Sequence, residues 1–386
     1  MAPGPLTVRI AIVTGTRADF GLWRPVLDEL ERRGADAEVG LLVMGMHLDR
    51  RFGHTVDEVR ASGVRIIGEV PFTPKGDTPA AMAGSLGIAI EGAAPILADG
   101  RPDWLMVLGD RGEQLAAALV ALHLGTAVAH LHGGERTAGA VDDVLRDLIS
   151  RIAHLHLVAS DSAGERLIAM GIDPTRIRRT GAPGLDGLAA SADGASPDLR
   201  ARYGLPTTGP YLLLVVHPET GKDPAGPLIL ADAVLDAVGS IDVPALAIWP
   251  NADAGGRAIA ARLEASRVTF AGLHPSIPRD DYVGLLGGAA VLVGNSSSGI
   301  IEAPLLRVPA VNVGRRQEGR ERGDNVIDVP PDADRVRNAI VAATDPAFRA
   351  GLSGRSPYGD GTAARKIVDA VLDTPVDERL FTREAG

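Results

Sequence analysis

The chain of 386 residues contains no cysteine. Disulfides, zinc–thiolate sites and cysteine nucleophiles are therefore excluded. Aromatic residues make up only 3% of it, so its cores have to be packed from Ala, Val, Leu and Ile. A basic excess is missing too: 49 acidic residues face 39 basic ones, a net charge of −10. Bulk attraction to nucleic acid or to an anionic membrane is thereby disfavoured, while a few local cations can still hold a small anion. The opening stretch "MAPGPLTVRIAIVTG" lacks the basic region and apolar run of a signal peptide, and no 18-residue apolar run is expected anywhere. The expectation is a cytoplasmic protein with no nucleic-acid or membrane partner.

What is present is an ordinary globular balance, 45% hydrophobic and 23% charged, over a length that suits two domains. Short apolar runs alternate with helical patterns. "VRIAIV" (8–13), "EVGLLVMG" (38–45), "WLMVLGD" (104–110), "AVAHLHG" (127–133) and "HLHLVAS" (154–160) form one series. A Gly-, Ala-, Ser-, Asp- and Pro-rich connector at about 184–210 follows. The rhythm restarts with "YLLLVVHP" (211–218), "PALAIWP" (244–250), "AAVLVGN" (289–295) and "PAVNVG" (309–314). This βαβ pattern predicts an α/β protein of two doubly wound, Rossmann-like domains facing across a cleft. The first covers 1–190 and the second 205–355. A helix at about 361–375 is expected to pack back on the first domain, and the tail beyond it to be loose.

Ligands of open α/β sheets sit beyond the carboxyl ends of the strands, so the polar residues there are the functional candidates. After the first strand, "GTRADFG" offers a tight turn at Gly15, Thr16 and Arg17 projecting into the crevice, and Asp19 as a helix cap; Arg17 beside a helix N-terminus suits a diphosphate. "GDRGEQ" places Asp110 at a strand end, as a cleft carboxylate or a helix cap, with Glu113 structural. In "HLHGGERTAGAVDDVLRDL" (130–148), Gly133 and Gly134 allow a ligand close to the backbone, and Glu135 follows. His130 and His132 are spaced to share a strand face, but without a second histidine cluster no metal is expected. The next helix presents Val141, Leu145, Leu148, Ile149 and Ile152 as its apolar face. Asp142, Asp143, Arg146 and Asp147 lie off that face, with Arg146 in reach of either of the first two. In the second half, His217 stands at a strand end, where it can donate to phosphate or serve as an acid near neutral pH. "GNSSSGIIEAP" (294–304) reads as a strand, a serine-rich phosphate loop and a helix, with Glu302 placed to accept from ribose hydroxyls. "GRRQEGRERGDN" (314–325) gathers Arg315, Arg316, Arg320 and Arg322; Arg315 and Arg322 are expected to be solvated.

In order, "GTRADFGLWRPVL", "GDRGE", "HGGERTAGAVDDVLRDLISRIAHLHLVAS", "TGAPGLDGL", "VVHPET" and "GNSSSGIIEAPLLRVPAVNVGRRQEGRERGDNV" resemble the UDP-N-acetylglucosamine 2-epimerase family, most closely its hydrolysing branch. The resemblance extends over most of residues 10–328 and implies a glycosyltransferase-B-like fold with UDP between the domains. It places Arg17, Ser296, Ser297 and Arg316 around the diphosphate and Glu302 at the ribose. Asp110, Glu135, Asp142, Asp143 and His217 become the catalytic candidates, with Arg146 and His132 binding substrate; some relatives carry glutamate at the position of His132. The implied reaction is anti elimination of UDP to a glycal and syn hydration to N-acetylmannosamine, with no metal or redox cofactor. The alternatives are the non-hydrolysing 2-epimerase, a hydrolysing enzyme for another nucleotide-linked amino sugar, and a glycosyltransferase of the same fold. A homodimer or homotetramer is expected.

Overall fold

The apolar run Val8–Thr14 forms strand β1, an inner strand of a seven-stranded sheet. Around it lie β2 (Ala37–Met44), β3 (Ile66–Val70), β4 (Trp104–Leu108), β5 (Ala127–Leu131), β6 (Leu155–Val158) and β7 (Ile177–Arg179). The order is β3-β2-β1-β4-β5-β6-β7, all parallel. A second sheet holds β8 (Leu212–Val215), β9 (Ala245–Ile248), β10 (Gly272–His274), β11 (Val291–Gly294), β12 (Ala310–Val313) and β13 (Val326–Val329). Its order is β10-β9-β8-β11-β12-β13, again all parallel. This is a computed structural model that describes residues 7–72, 79–136, 141–188, 194–219, 226–250, 255–266, 268 and 270–382. The chain divides into one unit of Met1–Glu135, Val141–Asp186 and Thr362–Gly386, and another of Arg136–Ala140 and Gly187–Gly361.

Alternation along the strands gives the first sheet two cores. Ile10, Ile12, Leu41, Val43, Trp104 and Met106 face one way. They meet Trp23, Val26, Leu27 and Leu30 of the Arg17–Arg33 helix, and Ile367, Val368 and Val371 of the Ala363–Leu372 helix. Ala11, Val13, Leu42, Met44, Leu105 and Val107 face the other way, against the Pro79–Gly100 and Gly112–Leu124 helices. Asp186 holds the start of the Ala363–Leu372 helix, accepting from Ala363 N at 2.8 Å and Ala364 N at 2.6 Å. The tail expected to be loose packs back as far as Thr382. Leu380 is buried, Arg176 donates to Thr382 O at 2.8 Å, and the Phe381 ring lies 4.9 Å from that of His154.

The Pro79–Gly100 helix holds a long apolar stretch. Glu91 and Asp99 interrupt it, so it is no continuous apolar run, yet within Ala80–Gly100 an 18-residue window reaches a mean hydropathy of 1.5, enough by length and composition to cross a membrane. Ala, Gly and Ile are scattered around this helix. Only the four-residue repeat Ser85, Ala89, Ala93, Leu97 forms a continuous buried stripe.

Both sheets reverse strand order beside their central strand, between β1 and β4 in the first and β8 and β11 in the second. Each switch point opens a crevice at the carboxyl ends. The residues there are Gly15–Arg17 and Gly109–Asp110 in one unit, and Val216–His217 and Asn295–Ser296 in the other.

Candidate active site

In the first unit the acids are organised around one guanidinium. Arg146, buried on the Val141–Ile152 helix, donates to Asp110 beyond β4 and, at 3.4 Å, to Asp143 one turn earlier. The expectation that Arg146 lies off the packed face is corrected: it points inward with Ile149, while Val141 and Leu148 stand exposed. The two carboxylates attract it more strongly than the apolar pattern predicts, because a buried guanidinium has to be paired. Asp142 is exposed on the first turn of that helix.

Strand β5 ends on a clamped turn. His130 is fully buried with both ring nitrogens engaged, one 2.8 Å from Gly109 O and the other 3.1 Å from Ser150 Oγ. Burial, with smaller contributions from Arg146 and His132, pushes it down to about 3, so it is neutral. His132 does not repeat that orientation, because its backbone turns left-handed at φ 59°. The shared histidine face expected from an extended strand is thus absent. Instead His132 Nδ1 lies 2.5 Å from Glu135 Oε1. Arg166 donates to Glu135 O at 3.2 Å and to Asp147 Oδ2 at 2.8 Å, fixing the turn from outside. The glycines serve packing: a Cβ on Gly134 would fall 2.2 Å from Ala163 O, and one on Gly133 2.8 Å from His130 Nδ1.

At the end of β1, Thr16 caps the Arg17–Arg33 helix, accepting from Asp19 N at 3.2 Å, and Asp19 accepts from Gly15 N at 3.3 Å. The Thr16 hydroxyl is therefore engaged as the helix cap, a role the sequence reading gave to Asp19. Burial pushes Asp19 up to about 6; Arg111 opposes this and Glu113 adds to it. Glu113, buried and bonded by Arg111 Nε at 2.8 Å, fills the space a Cβ on Gly15 would need. Arg17 pairs with Glu58 at 2.9 and 3.1 Å on the surface of this unit. His47 is buried between Thr14 Oγ1 at 2.9 Å and Thr55 Oγ1 at 2.8 Å, and burial lowers it to about 4.

In the second unit Asn295 ties β8 to β11. Its Oδ1 accepts from His217 N at 2.7 Å, and its Nδ2 donates to His217 O at 2.9 Å. Its own carbonyl accepts from Gln317 at 2.8 Å and Arg316 Nη1 at 3.3 Å, which brings Arg316 to the same strand ends as His217. Burial and the nearby Arg316 lower His217 to about 3. Its ring is neutral at pH 7, which corrects the expectation of an acid titrating near neutrality; one N–H donor remains. Ser296 caps a single 3-10 turn, Ser297–Gly299, instead of the expected helix start, and accepts from Ser298 N at 3.3 Å. Glu302 lies 3.7 Å from Arg279, and both it and Ser296 stand beside Tyr282. Glu219 Oε1 accepts from the amides of Arg315 and Arg316 at 2.6 and 3.0 Å. Arg315 is exposed as expected. Arg322 is a brace, bonded to Asp328 at 2.6 Å and to Gln317 O at 3.1 Å.

Residues 28–372 match the family model of UDP-N-acetylglucosamine 2-epimerase. The chain belongs to the UDP-N-acetylglucosamine 2-epimerase family. A UDP-N,N'-diacetylbacillosamine 2-epimerase (hydrolyzing) from Legionella pneumophila is 34% identical, over 97% of this chain and 98% of its own length. A UDP-N-acetylglucosamine 2-epimerase of Neisseria meningitidis is 35% identical over 87% of each. Among solved structures, the Methanocaldococcus jannaschii UDP-GlcNAc 2-epimerase in complex with UDP-GlcNAc and UDP superposes with TM-score 0.78 at 18% identity, covering 95% of this chain and 100% of that one. That likeness is one of fold, two Rossmann-like units in one chain on the glycosyltransferase-B-like plan. Within this family member, sequence reasoning passed over Asn295, Glu219 and Tyr282. Asn295 directly follows the Gly294 strand end and could have been found there. Tyr282, on the Arg279–Gly288 helix, carried no signal, because only folding sets that helix beside the serine loop.

Proposed function

We propose that this family member is a hydrolysing nucleotide-sugar 2-epimerase, converting UDP-N-acetylglucosamine to N-acetylmannosamine and UDP. The observation that supports it best is the cluster at the carboxyl ends of β4 and β5. Asp110, Asp143 and Arg146 form one group there, and His132 with Glu135 forms another. Carbon 2 of an acetamido sugar carries a proton that no carbonyl acidifies. Its removal needs the anomeric C–O bond to break as the proton leaves, giving a glycal and UDP. Water then adds across the double bond, with the proton delivered to the opposite face of carbon 2. Such a sequence needs more than one proton-transfer group, which this unit supplies. Arg17, Ser296, Ser297, Arg316 and the neutral His217 are assigned to the diphosphate, and Glu302 to the ribose. Relatives whose names carry "hydrolyzing", matched over 98% and 84% of their own length, favour the branch that releases UDP. Because both of them are named for N,N'-diacetylbacillosamine nucleotides, UDP-N,N'-diacetylbacillosamine is the second substrate to assay. Acid/base residues on the first unit disfavour a simple glycosyl transfer.

We assign the protein as a cytoplasmic homodimer or homotetramer. The exposed Met82, Ile88, Leu122, Leu124, Val144 and Leu148 lie on three successive helices of the first unit. Incubation of each UDP-sugar in heavy water tests the reaction. Free UDP and one deuterium at carbon 2 of the released amino sugar are expected. Sugar released without deuterium, or deuterium exchange without free UDP, would overturn the hydrolysing assignment.

A further inference from the structure

Three features of the β5 turn converge on His132. His132 is a non-glycine residue held in the left-handed region at φ 59°, a conformation that costs roughly 1–2 kcal/mol and persists where the surroundings impose it. Its Nδ1 is engaged by the buried Glu135 carboxylate at 2.5 Å. Its Nε2 is shielded from solvent and has no hydrogen-bond partner among the described residues. A buried ring nitrogen left without a partner is unfavourable unless a ligand supplies one. Asp110 and Asp143 are both paired with Arg146. His130, two residues earlier, spends both nitrogens on Gly109 and Ser150.

We infer that His132 is the proton-transfer residue at carbon 2 of the sugar, and that Glu135 is its positioning residue, acting through Nδ1 rather than touching substrate. This rests on the epimerase reading and names the base that reading leaves open. In the elimination, Nε2 of the neutral imidazole takes the carbon-2 proton. The C–H electron pair becomes the C1–C2 double bond, and the C1–O pair leaves with the diphosphate. Glu135 stabilises the resulting imidazolium, as an acid behind a histidine does in a catalytic triad. In the hydration, a second acid protonates carbon 2 from the other face while water oxygen adds to carbon 1. The remaining water proton regenerates that acid, and His132 releases its proton to solvent. Glu135 contacts the ring from its own turn, and Arg146, which carries Asp110 and Asp143, acts together with His132 and Glu135 on the adjacent buried ring of His130.

The test uses the full chain with H132N, H132E and E135Q, following kcat, KM and deuterium incorporation at carbon 2 across pH. Asparagine is chosen because it tolerates a positive φ. H132N is expected to lose about 100-fold or more in kcat with KM within about threefold. H132E puts a carboxylate where some relatives carry one. It should recover part of that loss, with the acid limb of kcat moved down by about two pH units, the difference between imidazole and carboxylate reference values. E135Q should lose less than H132N and also shift the acid limb downward, since the imidazolium loses its counter-charge. Near-wild-type turnover in H132N, or an acid limb in H132E that coincides with the wild type's, overturns the assignment. Should H132N fail to fold, the pH limbs of H132E and E135Q decide the matter. Wild-type enzyme that incorporates no deuterium would instead overturn the epimerase reading.

Discussion

At the scale of single residues, the sequence named the acids beyond β4 and β5, and packing decided which of them are bound to one another. Arg146 is nearly fully buried between Asp110 and Asp143, so the three side chains form one unit of net charge −1. Removing one partner of a buried ion pair typically costs about 3–5 kcal/mol, because the remaining charge stays desolvated. R146M should therefore lower the stability of the first unit by about 3 kcal/mol, read by urea denaturation, and abolish turnover. D110N keeps a hydrogen-bonding group of the same shape, and Asp143 still faces the guanidinium. It should fold normally, bind UDP within about twofold of wild type, and lose at least about 100-fold in kcat. Joint loss of UDP binding and turnover in D110N would make Asp110 structural. His217 shows what a linear sequence does not carry: its place at a strand end was legible, but its neutral state depends on burial and on Arg316, a hundred residues away.

At the scale of elements, every strand with a continuous apolar run was legible, and β3, β7, β10 and β13 were not. Those four are the edges of the two sheets. An edge strand has one neighbour and a half-solvated face, so it needs neither a long run nor full burial. Arg178 and Arg179 of β7 are exposed, and no residue of β10 is fully buried. Helix faces were legible where they pack on a sheet: of the expected face Leu22, Val26, Leu27 and Leu30, the last three are buried and Leu22 packs partly buried beside them, while the buried Trp23 was not foreseen. The Val141–Ile152 helix broke the rule, because Arg146 turns inward and leaves Val141, Val144 and Leu148 exposed. With Leu115, Leu119, Leu122, Ile152 and Phe381, Leu148 lines a groove of about 480 Å³ on the first unit. If this face joins copies, L122E/V144E should elute and scatter light as a monomer, with wild type at twice or four times that mass. A wild-type monomer would sink the oligomer assignment; a double variant that remains oligomeric would move the interface elsewhere.

At the scale of the whole molecule, buried titratable groups tie stability to pH. His47 and His130 in the first unit and His217 in the second are held below the ordinary histidine value of about 6.5, at about 4, 3 and 3. Below pH 6.5 the unfolded chain takes up protons that these rings refuse, so their contribution is lost as pH falls. Asp19, raised to about 6, works the other way: between pH 6 and 4 the folded state holds a proton that the unfolded state releases. Two histidines against one aspartate leave the first unit losing about 1.4 kcal/mol per pH unit over that range, and His217 alone gives the second unit about the same. Urea midpoints of the full chain should therefore fall steadily from pH 6.5 to 4.5. A flat or rising midpoint would mean that these rings are protonated in the folded protein.

The linear sequence by itself determined the α/β class, the two βαβ series and the polar residues at the central strand ends. Each follows from the period of apolar residues and from short-range turn chemistry, which neighbouring residues carry. Only the tertiary structure decided that Arg146 joins Asp110 to Asp143, that Asn295 locks His217, and that a left-handed turn sets His132 against Glu135. Those are contacts between segments far apart in the chain, or depend on how a turn is clamped from outside, and burial then sets which of the groups carry charge.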